Sequence, residues 1–358
     1  MTELDLAADV VTLTADLCDR ESVSGGEQGL ADAIEAALRR LDHLVVTRDG
    51  NTVVARTELG RPERVILAGH IDTVPLTDPP NLPTRREGEE LHGRGTVDMK
   101  GGVAVQLRIA AEVTAPTRDI TFVFYDCEEV EAERNGLARV GRNRPELLEG
   151  DFAVLLEPTG EHVEAGCQGT LHLRAHFEGE RAHSARPWKG RNAIHAAADV
   201  LGRLAAQEPE TVVVDGLPYR ESLQVVRIEG GVANNVVPDE CTIVVNRRFA
   251  PKYSVEEARA QVEKLLEGAD RVEVVNASPA APPNLGHPLV GEFVDVLGLD
   301  VEPKLGWTDA ARFASRNVPA VNFGPGDPDV AHTAGEMVTR ASVEQSYAAL
   351  ARFLGVAG

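Results

Sequence analysis

The sequence lacks the marks of several protein classes. No apolar run approaches the ~18 residues that a membrane-spanning helix requires, so no membrane partner is expected. The four cysteines are widely scattered and form no C-x-x-C pair, which argues against a disulfide framework and a cysteine zinc site. The opening segment, MTELDLAADV, is acidic and has no basic region before an apolar core. It therefore predicts no signal peptide and a cytoplasmic location.

Basic residues are also few. The chain has 36 Lys and Arg against 57 Asp and Glu, a formal net charge of −21. Such a surface repels nucleic acids and anionic membranes, so we expect neither as a partner. Over 358 residues, 43% are hydrophobic and 26% are charged, which is typical of globular proteins. The length suits one large domain or two ordinary ones.

Short apolar runs and helical patterns alternate in the N-terminal and C-terminal parts of the chain. The runs lie at 65–68, 120–125, 152–156 and 318–323. Continuous apolar runs separated by helices predict a mostly parallel sheet covered on both faces, which is a three-layer α/β domain. Two helices are predicted in the first forty residues, beginning near Leu4, and another at 342–354. A hairpin is predicted around Asp49-Gly50-Asn51.

The pattern changes between residues 169 and 281. Leu171, Leu173, Ala175 and Phe177 alternate with polar residues, as in a half-buried strand. Helices at about 190–206 and 254–267, with further strands, complete a β-α-β-β-α-β order. This order predicts a small ferredoxin-like α+β sandwich. We therefore expect residues 169–281 to form a domain inserted into a first domain made of residues 1–168 and 282–358.

Histidines and acidic residues follow the predicted buried strands. The residues at these positions are His70, Asp72, Glu128, Glu129, Glu157 and His332, and Asp98 lies in the turn before a helix. In open α/β sheets, ligands bind beyond the carboxyl ends of the strands. One such residue alone would be an ordinary surface or hydrogen-bonded side chain. Several at equivalent positions predict a shared site.

Five histidine and carboxylate ligands suit two zinc-like ions that share a bridging carboxylate at a separation of ~3.5–4 Å. Zinc is the expected metal, with cobalt as the alternative. Asp72 lies two residues beyond His70 and is expected to fix the histidine tautomer rather than to bind metal. The side chains of Glu128 and Glu129 diverge. One can therefore bind metal while the other acts as general base on a bridging water.

Other catalytic signatures are missing. GRGTVDMKGG has neither the third glycine of a dinucleotide fingerprint nor a Gly-Lys-Ser/Thr ending, and no Gly-x-Ser-x-Gly elbow occurs. A binding protein that keeps the metals without turnover is a rival hypothesis. A base beside the metal ligands favours an enzyme over that rival. A purely structural interaction protein would not need histidines and acids behind its strand ends.

Five motifs resemble the signature of the di-zinc aminoacylase and carboxypeptidase family, in order and spacing over nearly the whole chain. They are GHIDTVP, GRGTVDMKGG, DCEE, LEPT and Ala331-His332 followed by Glu336. The resemblance implies hydrolysis of an amide bond in a small N-acyl amino acid and makes the insert a lid. It also implies the ligands: His70 and Glu157 on one zinc, Glu129 and His332 on the other, Asp98 as the bridge, with Glu128 as general base.

The resemblance also implies roles for residues in the insert and for Thr308 in the first domain. In the insert, His183 is the oxyanion donor, Asn234 or Asn235 contacts substrate, and Arg248 pairs with a substrate carboxylate. Thr308 is a further substrate contact. It implies a homodimer paired through the insert, with His183 completing the neighbouring site. Where one branch of the family carries Arg-Arg-Gly-Ser, this chain has Cys167-Gln168-Gly169-Thr170. Other deacylases, dipeptidases and carboxypeptidases of the family therefore remain alternatives.

Overall fold

The computed structural model describes residues 3–356, which form two compact units. Unit 1 contains the described residues up to Ala165, Asn284–Glu302 and the described residues from Arg312 onward. Unit 2 contains Gly166–Pro283 and Pro303–Ala311. Whether residues 169–281 fold as an independent inserted domain stays a prediction.

The helices of the described residues are α1 (Val10–Cys18), α2 (Gln28–Leu38), α3 (Lys100–Glu112), α4 (Gly136–Asn143), α5 (Ala193–Ala196), α6 (Ala198–Ala205), α7 (Val255–Leu265), α8 (Pro288–Leu297), α9 (Ala310–Ala314) and α10 (Arg340–Leu354). Short 3₁₀ helices occupy Pro145–Leu148, Pro187–Lys189 and Pro328–Val330. Within residues 3–356, no helix has both the length and the apolar character needed to cross a membrane.

The first nine strands are β1 (Val45–Asp49), β2 (Thr52–Arg56), β3 (Arg64–His70), β4 (Arg85–Glu87), β5 (Glu90–His92), β6 (Asp119–Tyr125), β7 (Phe152–Leu155), β8 (Val163–Ala165) and β9 (Gly169–Glu178). The others are β10 (Thr211–Val214), β11 (Leu217–Arg220), β12 (Ser222–Gly230), β13 (Glu240–Phe249), β14 (Arg271–Ser278), β15 (Val301–Pro303), β16 (Ala320–Asn322) and β17 (Met337–Thr339).

The large sheet has the strand order β1-β2-β6-β3-β7-β16-β8-β15. Its centre is parallel, since β3 pairs with β6 and β7, and β7 pairs with β16. The strands β1, β2 and β8 pair antiparallel at its flanks. All residues of β6 and β7 are buried, so both sheet faces are covered there. The predicted α/β fold with a mostly parallel sheet is confirmed.

The first helix of unit 1 starts later than its predicted position. The first helix begins at Val10, not near Leu4, because the Asp9 side chain caps it by accepting the Thr12 N–H at 3.1 Å. Leu4 is buried all the same, in the segment before the helix. Apolar periodicity marked the buried residues correctly, and the capping residue set the start.

Unit 2 contains a four-stranded antiparallel sheet in the order β12-β13-β9-β14. One face forms a core with α5, α6 and α7, built around residues such as Leu173, Phe177 and Ile243. The helix predicted at about 190–206 is two short helices. A hairpin of β10 and β11 was not predicted, although Asp215 and Gly216 have the positive φ angles of a tight turn.

Helix α3 lies close to the backbone that follows β7. A Cβ added at Gly102 would sit 2.2 Å from the Leu156 carbonyl oxygen, so only glycine fits there. The Gln106 side chain on the same helix donates to the carbonyls of Leu67 and Val123. This packing fixes α3 against strands whose ends carry the predicted site.

We predict that Gly102→Ala destabilises the protein by about 1–3 kcal/mol, because the added methyl overpacks a contact with rigid backbone. The matched control is Gly202→Ala in the middle of α6, where nothing lies within 4 Å of the new Cβ. There the change should stabilise by about 0.5–1 kcal/mol. Urea unfolding followed by circular dichroism measures both, and equal effects of the two variants would contradict the close packing.

Candidate metal centre

The candidate site lies at the carboxyl ends of adjacent strands in unit 1. His70 is the last residue of β3, and Glu157 follows β7 by two residues. Both side chains are buried. Glu128 and Glu129 follow β6, the other neighbour of β3. Since these three strands run parallel side by side, their side chains emerge at one edge of the sheet.

Asp98 stands between two histidines. Its Oδ1 lies 3.0 Å from His70 Nε2, and its Oδ2 lies 3.1 Å from His332 Nε2. His332 Nε2 is also 2.8 Å from Glu129 Oε1. A carboxylate whose two oxygens face two different histidines has the arrangement of a ligand that bridges two ions.

The donor atoms gather into groups of metal-binding size. In each of three groups the donor atoms lie within 4.8 Å of one another, and the groups are His70, Asp98 and Glu157; Asp98, Glu129 and His332; and His70, Glu128 and Glu129. The first two share Asp98. Imidazole nitrogens and carboxylate oxygens are ligands that zinc and similar divalent ions accept. The donor set therefore fits two such ions.

Asp72 holds the backbone at this edge of the sheet through hydrogen bonds. It is fully buried, and it accepts the backbone N–H groups of Glu128 at 3.0 Å and Glu129 at 3.1 Å, and the Ser24 hydroxyl at 2.7 Å. His70 Nδ1 lies 3.1 Å from the Asp72 carbonyl oxygen, so it donates there and Nε2 is the ring nitrogen that faces Asp98. Burial alone would raise the pKa of Asp72, but the His70 ring beside its carboxylate, the Ser24 hydroxyl and the Glu128 N–H together hold that pKa below its ordinary value.

The histidines respond to the surrounding carboxylates. Hydrogen bonds to Asp98 and Glu129 raise the pKa of His332 to about 10. Burial acts to lower the pKa of His70, but Asp72 and Asp98 outweigh it and raise the pKa well above its usual value. The site thus demands positive charge, which either protons or metal ions supply.

Glu336 joins the loops that carry Asp98 and His332. Its Oε1 accepts the N–H groups of Gly95 at 2.8 Å, Val97 at 3.2 Å and Asp98 at 3.3 Å. Its Oε2 pairs with the buried guanidinium of Arg94. Sequence analysis noted Glu336 only as part of a motif and missed Arg94. Because most partners of Glu336 are backbone groups about 240 positions away, no sequence pattern reveals them.

The predicted substrate residues lie in unit 2. His183 and Asn235 lie close together, since the Ser184 N–H donates to the Asn235 carbonyl at 2.9 Å. Asn234 is exposed beside them. Arg248 is on β13. Thr308 is buried near Cys167, and its hydroxyl has no hydrogen-bond partner among the described residues. These five residues therefore belong to four separate chain segments of the unit.

A parallel sheet that gathers histidines and carboxylates beyond adjacent strand ends defines a protein of the metallohydrolase class. The sequence matches peptidase family M20/M25/M40 over residues 66–355, and the chain belongs to that family. Its members are hydrolases, so the protein is an enzyme of that kind. The resemblance inferred from the five motifs is confirmed.

Two relatives match nearly the whole chain. A putative succinyl-diaminopimelate desuccinylase of Mycobacterium tuberculosis (strain H37Rv) is 48% identical over 354 residues, covering 98% of this chain and 99% of the relative. Succinyl-diaminopimelate desuccinylase of Corynebacterium glutamicum is 44% identical over 361 residues, covering 98% and 97%. A solved tripeptidase structure from Staphylococcus aureus superposes with a TM-score of 0.78, covering 99% of this chain and 98% of that one. At 20% identity it supports the fold alone.

We predict that Glu336→Gln weakens metal binding by about 10–100-fold, as is typical when a group that orients a ligand is altered. The neutral amide loses the charge that pairs with Arg94 and adds an N–H that opposes the backbone donors. The matched control is Glu344→Gln, which removes an exposed carboxylate paired with Arg340 and should leave affinity unchanged. Competition with a chelating dye measures both. Equal affinities would show that Glu336 does not position Asp98.

Proposed function

We propose that the protein is a succinyl-diaminopimelate desuccinylase, which hydrolyses N-succinyl-L,L-diaminopimelate to succinate and L,L-diaminopimelate in lysine biosynthesis. The observation that carries the reaction class is Asp98 placed between His70 and His332. The two nearly full-length relatives support the substrate. We propose zinc as the metal, with cobalt as the alternative, and a cytoplasmic location.

In this proposal His70 and Glu157 would hold one ion, Glu129 and His332 would hold the other, and Asp98 would serve as a ligand to both. When bound, the ions would lower the pKa of a shared water towards ~7 and polarise the amide carbonyl. Glu128 accepts the proton of the attacking water and returns it to the leaving amine. Asp72 holds the backbone of Glu128, and the Glu128 carboxylate lies among the donor atoms of His70 and Glu129.

We predict that Glu128→Gln lowers kcat by about 10²–10⁴-fold, because the amide keeps the shape of the side chain but cannot accept a proton. The metal content should stay at two ions per chain, measured by atomic emission. Asp98→Ala is the contrasting variant, and it should lose metal as well as rate. Turnover by fully loaded Glu128→Gln protein would remove Glu128 from the mechanism.

We propose that residues 169–281 form a lid and dimerisation domain that also contacts substrate. Arg248 is half-buried, and it has no hydrogen bond or ion pair with any residue in the described part of the chain. Burial lowers its pKa, so the side chain gains from an anionic partner. A substrate carboxylate can supply that partner through a bidentate pair. Asn234, Asn235 and Thr308 are proposed as further substrate contacts.

The substrate assignment needs a direct test, because this chain has Cys167-Gln168 where one branch of the family carries two arginines that could bind a carboxylate. We expect kcat/KM for the succinyl compound to exceed that for acetylornithine, simple acyl amino acids and dipeptides. Arg248→Met should raise KM for the succinyl compound by about tenfold or more, since a charged hydrogen bond is lost. Steady-state assays of the zinc-loaded protein measure these values. Faster cleavage of acetylornithine would contradict the proposed substrate and support only amide hydrolysis as the reaction class.

We also propose a homodimer in which His183 completes the active site of the neighbouring chain. The outermost strands β12 and β14 leave open sheet edges, and two copies can pair edge to edge about a two-fold axis. His183 Nδ1 accepts the Ala185 N–H at 3.0 Å, so a neutral ring carries its proton on Nε2. Nε2 is then a donor suited to an oxyanion.

Complementation tests this crossing. His183→Ala and Glu128→Gln chains should each be nearly inactive, and subunit exchange between them should restore activity. Each mixed dimer then contains one site with both groups intact. If verified mixed dimers stay inactive, His183 serves its own chain, where it caps the turn at Ala185, or has no catalytic role.

A further inference from the structure

One face of the sheet in unit 2 carries a polar patch without carboxylates. Two adjacent rows of cross-strand neighbours on β12, β13, β9 and β14 define it. The first row is Ser222, Arg248, Thr170 and Ser278, and the second is Gln224, Asn246, His172 and Asn276. The opposite face, with Leu171 and Leu173, packs into the core. The patch thus presents hydroxyls, amides, one imidazole and one guanidinium.

The absence of carboxylates from these two rows is informative in a chain with 57 acidic residues. The nearest acidic residue on this face of β14 is Glu273, one row further along. Its carboxylate is already engaged by Arg174, His176 and Arg271. Arg248 therefore keeps its charge uncompensated by the sheet, and the patch attracts anions rather than cations.

His172 is a second donor that lacks an acceptor. The Asn246 side-chain Nδ2 donates to His172 Nε2 at 2.6 Å, so a neutral ring carries its proton on Nδ1. Nδ1 is buried and has no hydrogen-bond partner among the described residues. Burial and the nearby charge of Arg248 lower the pKa of His172, which keeps the ring neutral. Buried donors without acceptors are uncommon, and this one needs an acceptor.

Arg248 and His172 are diagonal neighbours, because Arg248 pairs with Thr170 and His172 pairs with Asn246. Diagonal positions on adjacent strands lie ~7–8 Å apart, within reach of long side chains. A carboxylate has two acceptor oxygens, one for each donor. An ammonium group has only donors and carries a positive charge. The patch contains no carboxylate to balance that charge.

We propose that His172, held by Asn246, is a specificity-determining residue that donates through Nδ1 to the same substrate carboxylate that Arg248 pairs. The inference rests on the proposed function and deepens it, since it selects substrates with a carboxylate at this position over peptides that present a free amino terminus there. The structure of the patch thereby favours an acyl amino acid substrate over the substrate of an aminopeptidase.

Two variants separate the donor from the ring. His172→Gln keeps an acceptor near the Nε2 position for Asn246 but removes the Nδ1 donor, and it should raise KM for the succinyl substrate about tenfold with kcat little changed. His172→Asn places an amide donor near the Nδ1 position and should recover most of that loss. The matched control, His176→Gln, changes a histidine on the same strand and face, beside Glu273, and should leave KM unchanged. Equal KM values for His172→Gln and His176→Gln would overturn the proposal.

A binding measurement makes the proposal independent of turnover. Succinate is titrated into histidine-labelled, chelator-treated protein, and the His172 ring signals are followed by NMR. We expect succinate to change the chemical shifts of these signals, and butylamine to leave them unchanged. In Arg248→Met, the succinate affinity obtained from the titration should be about tenfold weaker. An unmoved His172 signal, or an equal response to butylamine, would overturn the proposal. Succinate binding without amide hydrolysis would instead support the patch and overturn only the proposed function.

Discussion

The mutual repulsion of the acidic side chains at one edge of the large sheet is the constraint on which the site depends. Asp98, Glu128, Glu129 and Glu157 lie around two histidines within a few ångströms. Carboxylates this close are stable only if positive charge or directed N–H groups compensate them. The raised pKa values of His70 and His332 show this effect, because the surrounding carboxylates make both rings hold a proton more strongly. The same demand is what gives the site affinity for divalent cations.

Two further buried carboxylates hold the backbone that carries the candidate ligands. Asp72 fixes the backbone of Glu128 and Glu129, and Glu336 fixes the backbone that carries Asp98. Each is anchored by several N–H groups or by Arg94, so its position is determined by the fold. The ligands are thus attached to backbone that is itself held in place. Such support is what keeps a ligand set in register when its members come from distant parts of the chain.

The predictability of each element follows from whether its determinants are local. The positions of His70 and Glu157 followed from the rule for parallel strand ends, because continuous apolar runs identify buried strands without reference to the rest of the chain. The β10–β11 hairpin was predictable from Asp215-Gly216 and was overlooked. The roles of Arg94 and Glu336 were not predictable, since their partners are backbone groups and a side chain far away in sequence. The unpaired Nδ1 of His172 was not predictable either, since its environment depends on residues of neighbouring strands such as Asn246.

The two units contribute different kinds of chemical information. In unit 1 the charged side chains of the candidate metal centre lie close together, so a change there is expected to alter whether the reaction proceeds. On the patch of unit 2, Arg248 and His172 are left without acceptors, which costs stability unless a ligand supplies them. A ligand that supplies the missing acceptor forms the hydrogen bonds that these donors lack, and it is therefore bound in preference to a ligand that does not. A substrate that lacks the acceptor leaves them unpaired, and loss of a buried polar partner discriminates more strongly than loss of apolar contact. Under the proposals made here, the reaction class follows from the metal centre of unit 1, and the choice of substrate follows from the patch of unit 2.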